Sequence, residues 1–114
     1  MDRETKTIKT ESGHEIVYYT RMTGGEYFEL EDREIGENVE IEGTRGQTRI
    51  NAGAVNKARR RALADLLIVS VDGEKDIEKR WKLLTEQLWA DELIEIFIAL
   101  NRSASGIKQE EVKK

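Results

Sequence analysis

Leu66-Leu67-Ile68-Val69-Ser70-Val71-Asp72-Gly73-Glu74 is the stretch whose reading decides the fold. Its first six residues are apolar or small and partly β-branched, a pattern that suits a buried strand as well as a helix. The residues before it favour a helix. Val55, Ala58, Ala62, Leu66 and Val69 recur at spacings of three and four, and Leu63 and Leu67 widen the same face. Lys57, Arg60 and Arg61 fall on the opposite side, and Asn51 offers an N-cap. The period therefore carries the expected helix through the apolar run. Asp72-Gly73 ends it, because glycine accepts the positive φ of a tight turn.

On the C-terminal side, a second helix is expected to start near Asp76, whose carboxylate can cap it. Ile77, Trp81, Leu84 and Leu88 form its apolar stripe, which places Trp81 in the core under the N-terminal hairpin or the first helix. The third segment, Asp91 to Leu100, is apolar around more of its circumference. Leu93, Phe97 and Leu100 mark the centre, Ile94, Ile96 and Ile98 the flanks, and Asp91, Glu92, Glu95 and Ala99 the other side. Its large apolar residues sweep roughly 200°, against about 100° for an ordinary surface helix. Such a helix is either sandwiched within its own domain or meets a partner along one flank. A chain of 114 residues has little material to cover both flanks.

On the N-terminal side, Thr5–Thr10 and Glu15–Thr20 are β-prone runs across Glu11-Ser12-Gly13-His14, which reads as a β-hairpin. Its inward face is Ile8 with either Ile16 and Tyr18 or Val17 and Tyr19. Thr23-Gly24-Gly25-Glu26 has the spacing of a capping box and starts a short helix reaching about Arg33. Residues 35–50 are expected to form a mobile loop. The alternative is a second hairpin, pairing Val39–Glu42 with Gln47–Ile50. After Leu100, Asn101 or Gly106 can end the last helix. The expected fold is α+β and mainly α: one domain over residues 1–102, a hairpin packed on three or four helices, and a disordered tail over 103–114.

The net charge of −4 argues against general nucleic-acid binding and against an anionic membrane surface. No cysteine is present, which removes disulfides, thiolate nucleophiles and cysteine metal sites. No apolar run approaches the roughly 20 residues of a membrane span. His14, the single histidine, lies in the expected hairpin turn and has no second histidine to share a metal, so an exposed turn residue is expected. Glu29, Glu31, Asp32 and Glu34 are dense, but lack an apolar setting that would hold a proton near neutral pH. No enzyme activity, metal or cofactor is expected. Lys57, Arg59, Arg60 and Arg61 form the one basic cluster, a solvated helix face balanced by the acidic segment Glu26 to Glu42 or, alternatively, a contact to nucleic acid or an ionic contact to a protein.

The order of these parts resembles a known family. A hairpin leads into Met22-Thr23-Gly24-Gly25-Glu26-Tyr27; a helical segment ends in Ile68-Val69-Ser70-Val71-Asp72-Gly73; two short Leu-rich helices end near Leu100. Over about Thr5 to Arg102 the chain is similar to the tail assembly chaperones of long-tailed bacteriophages, with the insert Ile35–Ile50 as a departure. The resemblance implies a non-enzymatic protein in the cytoplasm of a bacterial host. Such chaperones bind the long, apolar, helical tape-measure protein and keep it soluble while tail-tube subunits polymerise. They tend to self-associate, so a homo-oligomer is expected. The family supplies no catalytic residues to carry over. From the apolar arc of the last helix, the expected contact surface is Trp89, Leu93, Ile94, Ile96, Phe97 and Ile98. The rival readings are a small nucleic-acid-binding regulator using Lys57, Arg59, Arg60 and Arg61, and a structural virion component.

Overall fold

The decisive apolar run is split between two elements. Helix α2 (Ala52–Leu67) ends at Leu67, and strand β5 (Ile68–Val71) follows it directly. The computed structural model describes residues 3–36, 39–42, 47–50 and 52–106. Strands β1 (Thr5–Lys9) and β2 (Glu15–Tyr19) form the expected antiparallel hairpin, with Ile8 opposite Ile16. β5 joins the free edge of β2, giving an antiparallel sheet in the order β1-β2-β5. Ile16 pairs with Val71 and Tyr18 with Ile68, across an irregularity at Val17 and Tyr18.

This corrects the expectation of a helix through the apolar run. The helical period alone could not register that β2 has an unpaired edge, whose backbone groups a β-branched run can satisfy. Pairing there buries Ile68, Ser70 and Val71, while Val69 is half-buried.

A helix that stops without a loop leaves its last carbonyl groups short of donors. Arg80, from helix α3 (Ile77–Glu86), supplies a donor to one of them and to the first carbonyl of the strand that follows. Its buried guanidinium donates to the Ile68 carbonyl and, at 3.4 Å, to the Asp65 carbonyl. A cation also suits the negative end of the helix dipole. The turn after β5 forms as Asp72-Gly73 predicts. Asp72 and Gly73 have φ of 51° and 82°, and Val71 and Glu74 exchange N–H···O bonds of 3.0 and 2.8 Å. Two positive φ values in a two-residue turn are what an Asp-Gly pair accommodates.

Helix α1 (Gly24–Gly36) starts on the expected capping box and runs past Arg33. Thr23 Oγ1 accepts from the Glu26 N–H at 3.1 Å, and Glu26 Oε1 accepts from the Thr23 N–H at 3.0 Å. Asp76 caps α3 by accepting from the Lys79 N–H at 3.0 Å. Strands β3 (Val39–Glu42) and β4 (Gln47–Ile50) pair antiparallel, so the insert contains the second strand pair that the loop expectation had placed second.

Helix α4 (Ala90–Ser105) is longer than expected and ends at Gly106, with φ of 73°. Ser103 is buried, so residues 103–106 belong to the fold and not to a disordered tail. Asn51 as an N-cap and the tail residues 107–114 lie outside the described residues.

The core lies between the sheet and the helices: Ile16, Tyr18, Leu30, Leu63, Leu67, Leu84, Ile96, Phe97 and Leu100. Ile16 and Tyr18 are thus the inward pair of the hairpin. Trp81 is half-buried at the rim of the core. Its ring meets Phe97 edge-on at 6.4 Å, and the Arg61 guanidinium covers it at 5.0 Å. Ile77, expected in the same stripe, is 46% exposed. Arg80 takes an inward position on α3 that the stripe had assigned to apolar residues alone.

Candidate interaction surface on the last helix

The orientation of α4 decides which of its side chains can meet a partner. Glu92, Ile96, Phe97, Leu100 and Ser103 are buried and mark its inner face. At 3.6 residues per turn, Ile94 and Ile98 stack one turn apart on the opposite side. They are 60% and 48% exposed. Trp89, in extended backbone just before the helix, is 70% exposed. Leu93 is half-buried beside the core.

Of the six residues expected to form the contact surface, Trp89, Ile94 and Ile98 are therefore available. Ile96 and Phe97 are core residues, which corrects that expectation. The wide apolar arc is shared between an inner face that the domain covers and an outer face that it leaves open.

The rotation of α4 is held by a charge read from sequence as outward-facing. Glu92 turns in and accepts from the Trp89 N–H at 3.1 Å, which caps the helix. It also accepts from the Ser12 N–H and the Ser12 hydroxyl, each at 2.9 Å, which ties the β1–β2 turn to the start of α4. Burial pushes the Glu92 carboxyl up, but these donors, with His14 nearby, outweigh it and hold the carboxyl below its ordinary value.

His14 is half-buried beside this clasp and is not the exposed turn residue expected. Its Nδ1 lies 2.6 Å from Asp72 Oδ2, and Asp72 Oδ1 accepts from the Glu15 N–H at 2.7 Å. The Asp72 hydrogen bond raises the His14 pKa against the opposing effect of burial; the Asp72 charge, a Gln87 main-chain hydrogen bond and the Glu92 charge add to it. Ser12 turns to Glu92 and His14 to Asp72, so this serine, histidine and aspartate act as clasps between elements and do not line up as nucleophile, base and orienter. Among the described residues, no group of three or more histidine, aspartate or glutamate side chains is placed to hold a metal ion.

The basic cluster does not present an open row of cations. Arg59 pairs with Glu34 at 3.2 Å and donates to Asn101. Arg61 pairs with Asp65 at 3.0 Å and Glu78 at 2.7 Å. Lys57 and Arg60 are exposed.

A second open apolar feature was not singled out from sequence. A cleft of about 320 Å³ lies between the start of α1 and the end of α4, with Met22, Tyr27, Phe28 and Ala104 among its walls. Among the described residues, no helix is long and apolar enough to cross a membrane. Comparison with protein-family models, with curated proteins and with solved structures finds no match to this chain.

Proposed function

We propose that this protein is a non-catalytic binding protein that holds an amphipathic helix of a partner against the outer face of α4. The observation that carries the reading is the exposure of Ile94 and Ile98 on a helix whose opposite face is locked into the core. Exposed aliphatic side chains one turn apart offer an apolar stripe on which a partner's amphipathic helix can pack, and the exposed Trp89 just before the helix is a further large apolar side chain open to contact. The resemblance of the chain to phage tail assembly chaperones supports a specific client, the tape-measure protein, held soluble in the cytoplasm of the bacterial host until the tail tube encloses it. The engagement of Arg59 and Arg61 with carboxylates weighs against the nucleic-acid reading.

Co-expression tests this reading. The wild-type chain should keep a tape-measure protein in the soluble fraction, and Ile94→Glu combined with Ile98→Glu should not, while its circular dichroism and melting stay unchanged. A folded double variant that still solubilises the client would overturn the proposal. Purified virions should lack the chain; finding it there in fixed copy number would favour a structural component.

A further inference from the structure

The chain holds two of its own arginines in the same way. The Arg3 guanidinium lies 3.6 Å from the centre of the Tyr19 ring and pairs with Glu26 at 2.8 Å. The Arg61 guanidinium lies 5.0 Å from the centre of the Trp81 ring and pairs with Asp65 and Glu78. Each time an aromatic face takes the flat cation and a carboxylate takes its N–H groups. The two contacts are compatible because a guanidinium stacks through its face and donates through its edge.

A third group of aromatic rings and carboxylates is open to solvent, at the cleft between α1 and α4. Tyr27 and Phe28 line it, 46% and 65% exposed, with their rings edge-on at 6.1 Å. One helical turn along α1, Glu31 follows Tyr27 and Asp32 follows Phe28, and both are exposed. The Tyr27 hydroxyl donates to Glu31, whose carboxylate keeps further acceptor capacity. Among the described residues Asp32 enters no ion pair, and no arginine stacks on either ring.

The neighbouring charges give the cleft a direction. Arg21 lines it just before α1, and with the positive end of the helix dipole it disfavours a second cation there. Arg59, which also acts on Tyr27, is already paired with Glu34. An incoming cation is therefore drawn to the Glu31 and Asp32 end. The volume of about 320 Å³ is at the small end of ligand pockets, so it suits one long side chain better than a helix. Met22 and Ala104 offer apolar wall for the methylene stem of such a side chain.

We propose that this cleft takes an arginine side chain of a partner protein, its guanidinium stacked on Phe28 and bonded to Asp32 and Glu31. Lysine fits less well, because its ammonium is a compact, strongly hydrated charge with no face to stack. The site includes neither Ile94 nor Ile98 and is independent of the helix-binding reading.

An NMR titration of the full chain with the peptide acetyl-Leu-Arg-Leu-amide tests the assignment. Amide shifts should centre on residues 24–32 and 103–106. The same peptide with lysine in place of arginine should bind about twofold to fivefold more weakly, the size of an exposed cation–π contact. Phe28→Ala and Phe28→Leu should each remove that preference, since both lose the ring and the second keeps apolar bulk. Asp32→Asn should weaken both peptides, and Ile98→Glu should leave the titration unchanged. Equal affinity for the two peptides, a preference that survives loss of the Phe28 ring in a folded variant, or shifts centred elsewhere would overturn the proposal. So would cleft shifts that appear on concentrating the protein alone, which would assign the cleft to a second copy. Tighter binding of a peptide of residues 107–114, which carries lysines and no arginine, would assign it to the chain's own C-terminal segment and overturn it as well.

Discussion

Ile96 and Ile98 carry the same side chain, two residues apart on the same helix. Ile96 is 0% exposed and Ile98 is 48% exposed. Two residues are about 200° of helical rotation, so the positions face opposite ways. What differs is how the helix is rolled, and the Glu92–Ser12 clasp and the packing around Phe97 set the roll. Identical residues on one apolar arc can therefore belong to the core or to a partner, and a burial-blind reading of the arc merges them.

The largest effect should come from putting a charge on the inner face. Ile96→Glu places a carboxylate in a sealed apolar site and should leave little folded protein, and even Ile96→Ala should cost about 2–5 kcal/mol. Ile98→Glu should change stability by no more than about 0.5 kcal/mol, as expected for a surface site. Urea titrations of both variants test the contrast; similar midpoints for Ile96→Glu and Ile98→Glu would refute the assigned roll of α4.

Arg80→Ala should follow, since it strips the buried donors from the Asp65 and Ile68 carbonyls at the junction of α2 and β5. A loss of about 1–3 kcal/mol is expected for acceptors left buried and unpaired. Hydrogen exchange should show faster opening at Ile68–Val71 than elsewhere in the sheet, and a uniform change would argue against a local cap. Trp81→Ala should cost less than the about 3–5 kcal/mol of a fully buried tryptophan, because the ring sits at the rim with Arg61 over it. A fall in Tm as large as that of Ile96→Ala would move Trp81 into the core.

The smallest effect is the pH dependence of the clasp. His14 has its pKa raised above 6.5 in the folded chain, with Asp72 as the first cause. Its contribution is fully present below 6.5 and is lost as pH rises through the raised value. The Asp72 and Glu92 carboxyls are lowered from 3.8 and 4.5, so their contributions are present above those values and fade as pH falls through the lowered ones. Melting curves should show wild type losing stability as pH rises above 6.5, and His14→Gln should flatten that slope. Equal slopes in the two proteins would remove His14 from the clasp.

Several features were legible because they depend on near neighbours. The Thr23–Glu26 capping box, the Asp76 cap and the Asp72-Gly73 turn each use contacts a few residues apart, so the local pattern contained both partners. The hairpin followed from two β-prone runs around one glycine turn. Arg80 and Glu92 were not legible as inward-facing, since a charged residue is read as exposed unless its partner is known, and their acceptors and donors come from α2, β5 and the hairpin turn. Of the expected contact residues, Trp89, Ile94 and Ile98 could not be told from Ile96 and Phe97 without the position of the helix on the core.

The sequence by itself determined the helical and strand-forming segments that local chemistry dictates, where two helices start, and that the last helix carries more apolar surface than one face needs. Only the tertiary structure decided that Ile68–Val71 is a strand, because the unpaired edge of β2 outcompetes the helical period that leads into it. It also decided which half of the α4 arc is left open. That outcome rests on burial against residues up to eighty positions away, such as Ser12 on Glu92, and no local period encodes such a contact.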